Sequence, residues 1–149
     1  MARHRIIAPV YFLACAAASV GLHFGMPIAA LVVSPANVAG GALIAAGLGI
    51  TLWAAGLFHA AGTPVRPFKQ STALVTGGVY KWTRNPMYLG LTIALLGVAL
   101  LLGTLGAFIP VPFFIWQVRR KFVLPEEAFL EGIFGGRYLE YKTRVRRWL

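Results

Sequence analysis

Four long apolar runs govern what this chain can become. They begin near Ile6, Val38, Met87 and Leu105, and each approaches the roughly 20 residues a helix needs to cross the hydrocarbon core of a bilayer. Backbone inside lipid must satisfy its own N–H and C=O groups, so runs of this kind become helices. Only 12% of the 149 residues are charged and 58% are hydrophobic, where an average soluble domain is about 25% charged. The expected fold is an all-α integral membrane protein with about four transmembrane helices.

The charges give this path a direction. Arg3 and Arg5 precede the first run, and Arg66, Lys69, Lys81 and Arg84 lie between the second and third. The other eight cations, Arg119 to Arg147, follow the fourth, so all 14 fall on one side of a four-span path. Lys and Arg gather in cytoplasmic loops, which predicts cytoplasmic termini and a bacterial inner-membrane location. The net charge of +10, opposed only by Glu126, Glu127, Glu131 and Glu140, matches anionic headgroups beside the membrane. Membrane lipids are therefore the expected partners, and nucleic acid is not.

Arg3, Arg5 and the run from Ile6 share features with a signal peptide, and "FLAC" with a lipoprotein cleavage site. Phe12 stands where a Leu-like residue is wanted, so the run is read as a span. Cys15, the single cysteine, falls inside it and is expected to be buried and inert.

The first two spans occupy 1–61. The first reaches Leu22 or beyond before His23, Gly25 and Pro27 disturb it, and "SPAN" starts the second, which runs from Val38 to Ala60. Small residues at Gly40/Ile44 and Gly49/Trp53, with Ala45 and Gly56 nearby, predict close helix packing there. A proline-broken cytoplasmic connection fills 62–86. Pro86 then opens a third helix running to Leu102, since its missing N–H would lack a partner at that position anyway. "GTLG" turns the chain into a fourth helix near Leu105 to Phe122, making 87–122 a tight hairpin. In 123–149, "EEAFLEGIF" after Pro125 predicts a short amphipathic helix with Phe129, Leu130 and Phe134 on one side. "RYLEYKTRVRRWL" predicts a second, basic helix suited to the membrane surface.

Two polar clusters interrupt the apolar pattern. Tyr80, Arg84, Asn85, Pro86 and Tyr88 stand at the mouth of the third helix. Glu126 and Glu127, followed by Tyr138, Tyr141 and Arg144, come just after the fourth. A hairpin brings them to the same side. Adjacent carboxylates near a membrane need a cation or a helix N-terminus. Two readings stay open: the pair caps the helix after Pro125 and meets Arg119 or Arg120, or it serves a ligand. No His, Cys or Asp cluster has ligand spacing, so no metal is expected.

The segments "GGVYKWTRNPMYLG" and "PEEAFLEGIFGGRYLEYKTRVRRWL", with a hairpin between them, resemble the isoprenylcysteine carboxyl methyltransferase family and the related phospholipid methyltransferases. The family pattern is Gly-Pro-Tyr, Arg-His-Pro-x-Tyr, a helical hairpin, Glu-Glu, and Phe-Gly-x-x-Tyr-x-x-Tyr. It appears as Gly78-Val79-Tyr80, Arg84 to Tyr88, Glu126-Glu127, and Phe134 to Tyr141. The resemblance implies an S-adenosylmethionine-dependent methyltransferase embedded in the membrane. Its cofactor would arrive from the cytosol, and a lipophilic acceptor (carboxylate, thiol or amine) through the bilayer. It also implies that Tyr80, Arg84, Asn85, Pro86, Tyr88 and Leu89 cradle the cofactor, with Arg84 on its carboxylate. Glu126 and Glu127 would face its cationic groups, and Tyr138 and Tyr141 its adenine. Arg144 is a candidate for steering an anionic acceptor, and binding of lipid headgroups is the plainer alternative for it.

Val79 stands where the family has proline and Asn85 where it has histidine. Asn donates and accepts hydrogen bonds but carries no proton near neutral pH. If the family's histidine acts as a base, this chain does without one or takes an acceptor already deprotonated; if it only bonds the cofactor, Asn is an adequate stand-in. The alternative function is a non-enzymatic membrane protein that kept the fold. His59 lies near enough along the chain to be a substitute base, while His4 and His23 are placed at the basic end and the outer side. A transporter is disfavoured because no charge lies between Met87 and Val118.

Overall fold

A computed structural model describes residues 7–26, 28–63 and 73–149. The expectations for Arg3, His4, Arg5, Pro27, Arg66 and Lys69 lie outside these residues. The described residues form helices and no strand. In order they are α1 (Ala8–Gly25), a 3-10 turn (Ala36–Val38), α2 (Ala39–Ala60), a second 3-10 turn (Gly78–Lys81), α3 (Pro86–Leu102), α4 (Leu105–Phe108), α5 (Pro110–Val118), a π-helical turn (Arg119–Val123), α6 (Leu124–Phe134) and α7 (Gly136–Arg144). Ala8–Gly25 and Ala36–Ala60 are long and apolar enough to cross a membrane, and Pro86–Leu102 is apolar but shorter.

Prolines set several helix starts. Pro86 opens α3 and Pro110 opens α5, where a missing N–H removes nothing from the hydrogen-bond ladder. The same chemistry divides the stretch that the sequence predicts as one helix from Leu105 to Phe122. It runs instead as α4, α5 and the wide turn at Arg119–Val123. The short helix predicted after Pro125 forms as α6, with Pro125 in its first turn directly after that wide turn, which lies where the proline ring would otherwise meet the Lys121 carbonyl.

α2 and α3 run antiparallel with their backbones in contact through glycine. Gly40 faces Gly97, and Gly47 faces Gly90. A methyl group on Gly97 would come within 2.6 Å of the Gly40 carbonyl oxygen, a distance that forces the helices apart. Thr51 reinforces the contact by donating its hydroxyl to the Met87 carbonyl at 3.2 Å. Gly49 and Gly56 meet nothing within 4 Å, so the packing stripe is Gly40, Gly47 and the fully buried Ala54. The other face of α3 builds the main core, where Leu91, Leu95 and Ala99 pack with Phe114 and Val118 of α5 and Cys15 of α1.

α3 ends at Gly103, whose φ of 74° belongs to the left-handed region that glycine adopts without strain. Its carbonyl accepts the N–H groups of Leu31 and Val32 at 2.8 and 3.0 Å, fixing the segment before α2 against this turn. At the opposite end, Leu130 and Phe134 of α6 pack on Tyr138, Tyr141 and Val145. The basic helix expected to lie on the membrane surface therefore commits its tyrosines inward and stops at Arg144.

Candidate functional site

The motif before α3 is held in place by a turn and by a distant stretch of chain. Gly78 adopts a φ of 57°, and a Cβ there would approach Leu57 Cδ1 to 2.7 Å, so a side chain is disfavoured by both strain and space. The 3-10 turn that follows buries Val79 and Tyr80 against Ala54, with Phe58 and Met87 around them. Thr83 Oγ1 accepts the Asn85 N–H at 3.2 Å and donates to the Arg147 carbonyl at 3.1 Å. The Arg84 N–H donates to the Arg146 carbonyl at 3.0 Å. Residues 145–147 thus lie along residues 83–85, and Pro86 starts the helix that carries Tyr88.

The two acidic neighbours face this motif with their charges settled differently. Glu127 is buried, and Arg147 grips both of its oxygens, with Nε at 3.1 and 3.2 Å and Nη2 at 2.9 Å. Arg84 Nη2 donates to the same carboxylate at 3.2 Å. Burial alone would raise the Glu127 carboxyl, but the Arg147 hydrogen bonds and the Arg84 charge outweigh it and hold it below the usual range. Among the described residues Glu126 meets no cation. Its Oε2 accepts the Tyr88 hydroxyl at 2.9 Å. Burial pushes its carboxyl up; the Tyr88 bond offsets part of this and the charge on Glu127 adds to it. Neither acid pairs with Arg119 or Arg120, and the helix behind them is continuous with the π turn, so they cap no free helix end. The capping reading of the pair is corrected by these contacts.

A cleft opens between these groups. Tyr80, Arg84 to Tyr88, Glu126, Glu127, Tyr138 and Tyr141 line it, with Phe58, Val75 and Leu130 as apolar wall. The two motifs identified in the sequence therefore meet across one space. Their roles are not equal. Arg84 Nη1 donates to the carbonyls of Lys142 and Val145 at 3.2 Å each, so its fork is engaged within the chain, and its buried Nε has no partner among the described residues. Asn85 Nδ2 donates to the Arg147 carbonyl at 3.1 Å and reaches within 3.5 Å of Glu127 Oε1. Tyr141 donates its hydroxyl to the Tyr80 carbonyl at 2.6 Å. The Tyr80 hydroxyl is buried with no partner among the described residues, and burial, with Glu126 nearby, pushes its ionisation far up, so it stays a donor.

Three expected residues lie elsewhere. Arg144 is exposed and paired with Glu140 at 3.0 Å, Leu89 does not line the cleft, and His59 is exposed outside it. His23 meets Thr104 at 3.0 Å, far along the chain from this site. The residue that sequence reading missed is Arg147, which there looked like one more cation in a basic run. Chemically, the cleft offers, among the described residues, a carboxylate that meets no cation, a hydroxyl donor without a partner and several aromatic faces. A ligand that carries positive charge together with acceptor atoms and a flat ring fits that set.

The family model described as phospholipid methyltransferase matches residues 35–137, more than half of the chain. The protein-S-isoprenylcysteine O-methyltransferase of Schizosaccharomyces pombe is 35% identical over 72 residues, which cover 48% of this chain and 30% of the relative. The human protein of that name is 38% identical over 72 residues, 48% of this chain and 25% of its own length. Neither alignment reaches a third of the relative, so the chain spans a minor part of these larger proteins. An uncharacterized protein of Haemophilus influenzae is 43% identical over 63 residues, 42% of this chain and 100% of that protein. No solved structure matches.

Proposed function

The chain belongs to the phospholipid methyltransferase family, and we propose on that footing that it transfers a methyl group from S-adenosylmethionine to a lipophilic acceptor at the membrane face. The observation that carries this reading is the unequal state of Glu126 and Glu127. A carboxylate that meets no cation among the described residues, beside one already neutralised, suits a ligand bearing an ammonium and a sulfonium. When bound, S-adenosylmethionine supplies a methyl group on positively charged sulfur, open to in-line attack by an oxygen, nitrogen or sulfur nucleophile.

The residues have separate tasks in this account. Glu126 answers the positive charge, with Tyr88 orienting its carboxylate. Tyr80 donates its hydroxyl to an acceptor atom of the ligand, and Tyr138 offers an aromatic wall. Arg84, Asn85 and Glu127 hold the frame. Positioning of this kind, together with a fixed field, supplies most of what methyl transfer requires of a protein. No histidine lines the cleft among the described residues, and the Asn85 amide donor is spent on the Arg147 carbonyl. The acceptor that fits is one already ionised, a carboxylate or thiolate.

We place the acceptor's entry on the membrane side, with α1, α2, α3 and the α4–α5 path as four spans and both ends of the chain in the cytoplasm. The one-sided Lys and Arg distribution supports this orientation. Transfer of label from radiolabelled S-adenosylmethionine to a bacterial lipid extract tests the reading, with Asn85→His alongside the natural chain. An acid or thiol acceptor should be labelled by both, with activity little changed by the histidine. No labelled product and no cofactor binding in either would leave the family's fold serving as a non-enzymatic membrane protein.

A further inference from the structure

We propose that Arg147 is a positioning residue of this site: by occupying both oxygens of Glu127, it leaves Glu126 as the carboxylate available to a cationic ligand. The inference rests on the methyltransferase reading only for the identity of that ligand. Arg147 lies outside residues 35–137 matched by the family model.

Three features set Arg147 apart from the other cations of 137–147. Its guanidinium makes a forked contact with Glu127, at 2.9 to 3.2 Å, the geometry in which Arg binds a carboxylate most strongly. Its own carbonyl is held by Thr83 and Asn85, so the fork is aimed from a fixed backbone. The Arg84 N–H holds the Arg146 carbonyl next to it. By contrast, Arg144 and Lys142 pair with exposed or half-exposed Glu140 and Glu131. A residue that only fastened the chain end would need the carbonyl bonds and not the fork.

The consequence is electrostatic. Glu126 and Glu127 are faced by Tyr80 from the 3-10 turn, Arg84 from the residue pair before α3, Tyr88 from α3, Tyr138 from α7, and Arg147. Of these only Arg84 and Arg147 are cations. With both in place the Glu127 charge that Glu126 feels is reduced but not removed. Without Arg147, part of that negative charge returns, and Glu126 becomes harder to ionise.

The test needs no cofactor. Protein labelled with 13C at the glutamate side-chain carboxyls, in detergent micelles, carries only four such signals, which Glu→Gln variants assign. In Arg147→Gln the Glu126 titration midpoint should rise by about half a pH unit, roughly a threefold gain in proton affinity. Arg147→Lys keeps the charge without the fork and should move it less than half as far. Should Arg147→Gln fail to fold, Glu127→Gln carries the test from the other side. It leaves Arg147 uncompensated beside Glu126, whose midpoint should fall by a similar amount. An unmoved Glu126 midpoint in the variants, even with reduced thermal stability, would make Arg147 a fastener of the chain and overturn the proposal. A protein that binds no S-adenosylmethionine yet shows these shifts would refute the enzymatic reading while leaving Arg147's role intact.

Discussion

Glu126 and Glu127 share a peptide bond but do opposite things. Glu127 is buried between two guanidiniums, and removing its charge leaves Arg84 buried without a counter-ion. Glu127→Gln should therefore lower stability by about 3 kcal/mol, the lower end for breaking a buried pair because Arg147 is partly exposed. Thermal unfolding in micelles measures it. The pH dependence follows from the direction of each shift. Glu127's folded carboxyl lies below its unfolded value, so its stabilisation is complete above the ordinary carboxylate range and disappears as pH falls through the lowered folded value. Glu126's lies above its unfolded value, so it opposes folding at neutral pH, and that opposition shrinks as pH falls from the raised value to the ordinary one. Unfolding followed from pH 7 to about 3 should show a loss at the acid end that Glu127→Gln lacks. An identical acid profile in that variant would show that the ion pairs are not what acid breaks.

The α2–α3 pair shows what a helix pattern tells and what it conceals. An abundance of small residues in α2 predicts close packing, but it cannot choose among Gly40, Gly47, Gly49 and Gly56. The choice depends on α3, which offers Gly90 and Gly97 at the matching seven-residue interval. A pair of glycine-substituted chains separates the two kinds. Gly47→Ala puts a methyl against Gly90 and Ala94 backbone and should cost about 1–3 kcal/mol, as overpacking does. Gly49→Ala meets nothing and should gain about 0.5–1 kcal/mol, since alanine favours helix over glycine. Equal effects on thermal unfolding would mean that the helices are not in glycine contact. The same limit hid the wide turn at Arg119–Val123. Those residues contain neither glycine nor proline, and the cause lies two residues further on, at Pro125.

Across the whole chain, the sequence disclosed which residues meet but not how their charges are shared. Tyr80, Arg84 to Tyr88, Glu126, Glu127, Tyr138 and Tyr141 line one cleft, as the two separated motifs predict. The unequal fates of the acids come from Arg84 and Arg147, 43 and 20 residues from Glu127, and no local pattern encodes such contacts. The proposed orientation in the membrane rests on charge placement, and Leu149, which is exposed, reports on it. A cysteine at Leu149 in a Cys15→Ala background should resist an impermeant thiol reagent in intact cells and react after permeabilisation; labelling in intact cells would reverse the orientation. The site itself is tested by calorimetry of S-adenosylmethionine binding to the natural chain and to Glu126→Gln. The substitution preserves shape and removes the carboxylate that meets no cation among the described residues, so affinity should fall about ten- to a hundredfold, the loss of a charged hydrogen bond of about 1.5–3 kcal/mol. Equal affinity in both, with the fold intact, would mean that the cleft does not bind the cofactor through Glu126.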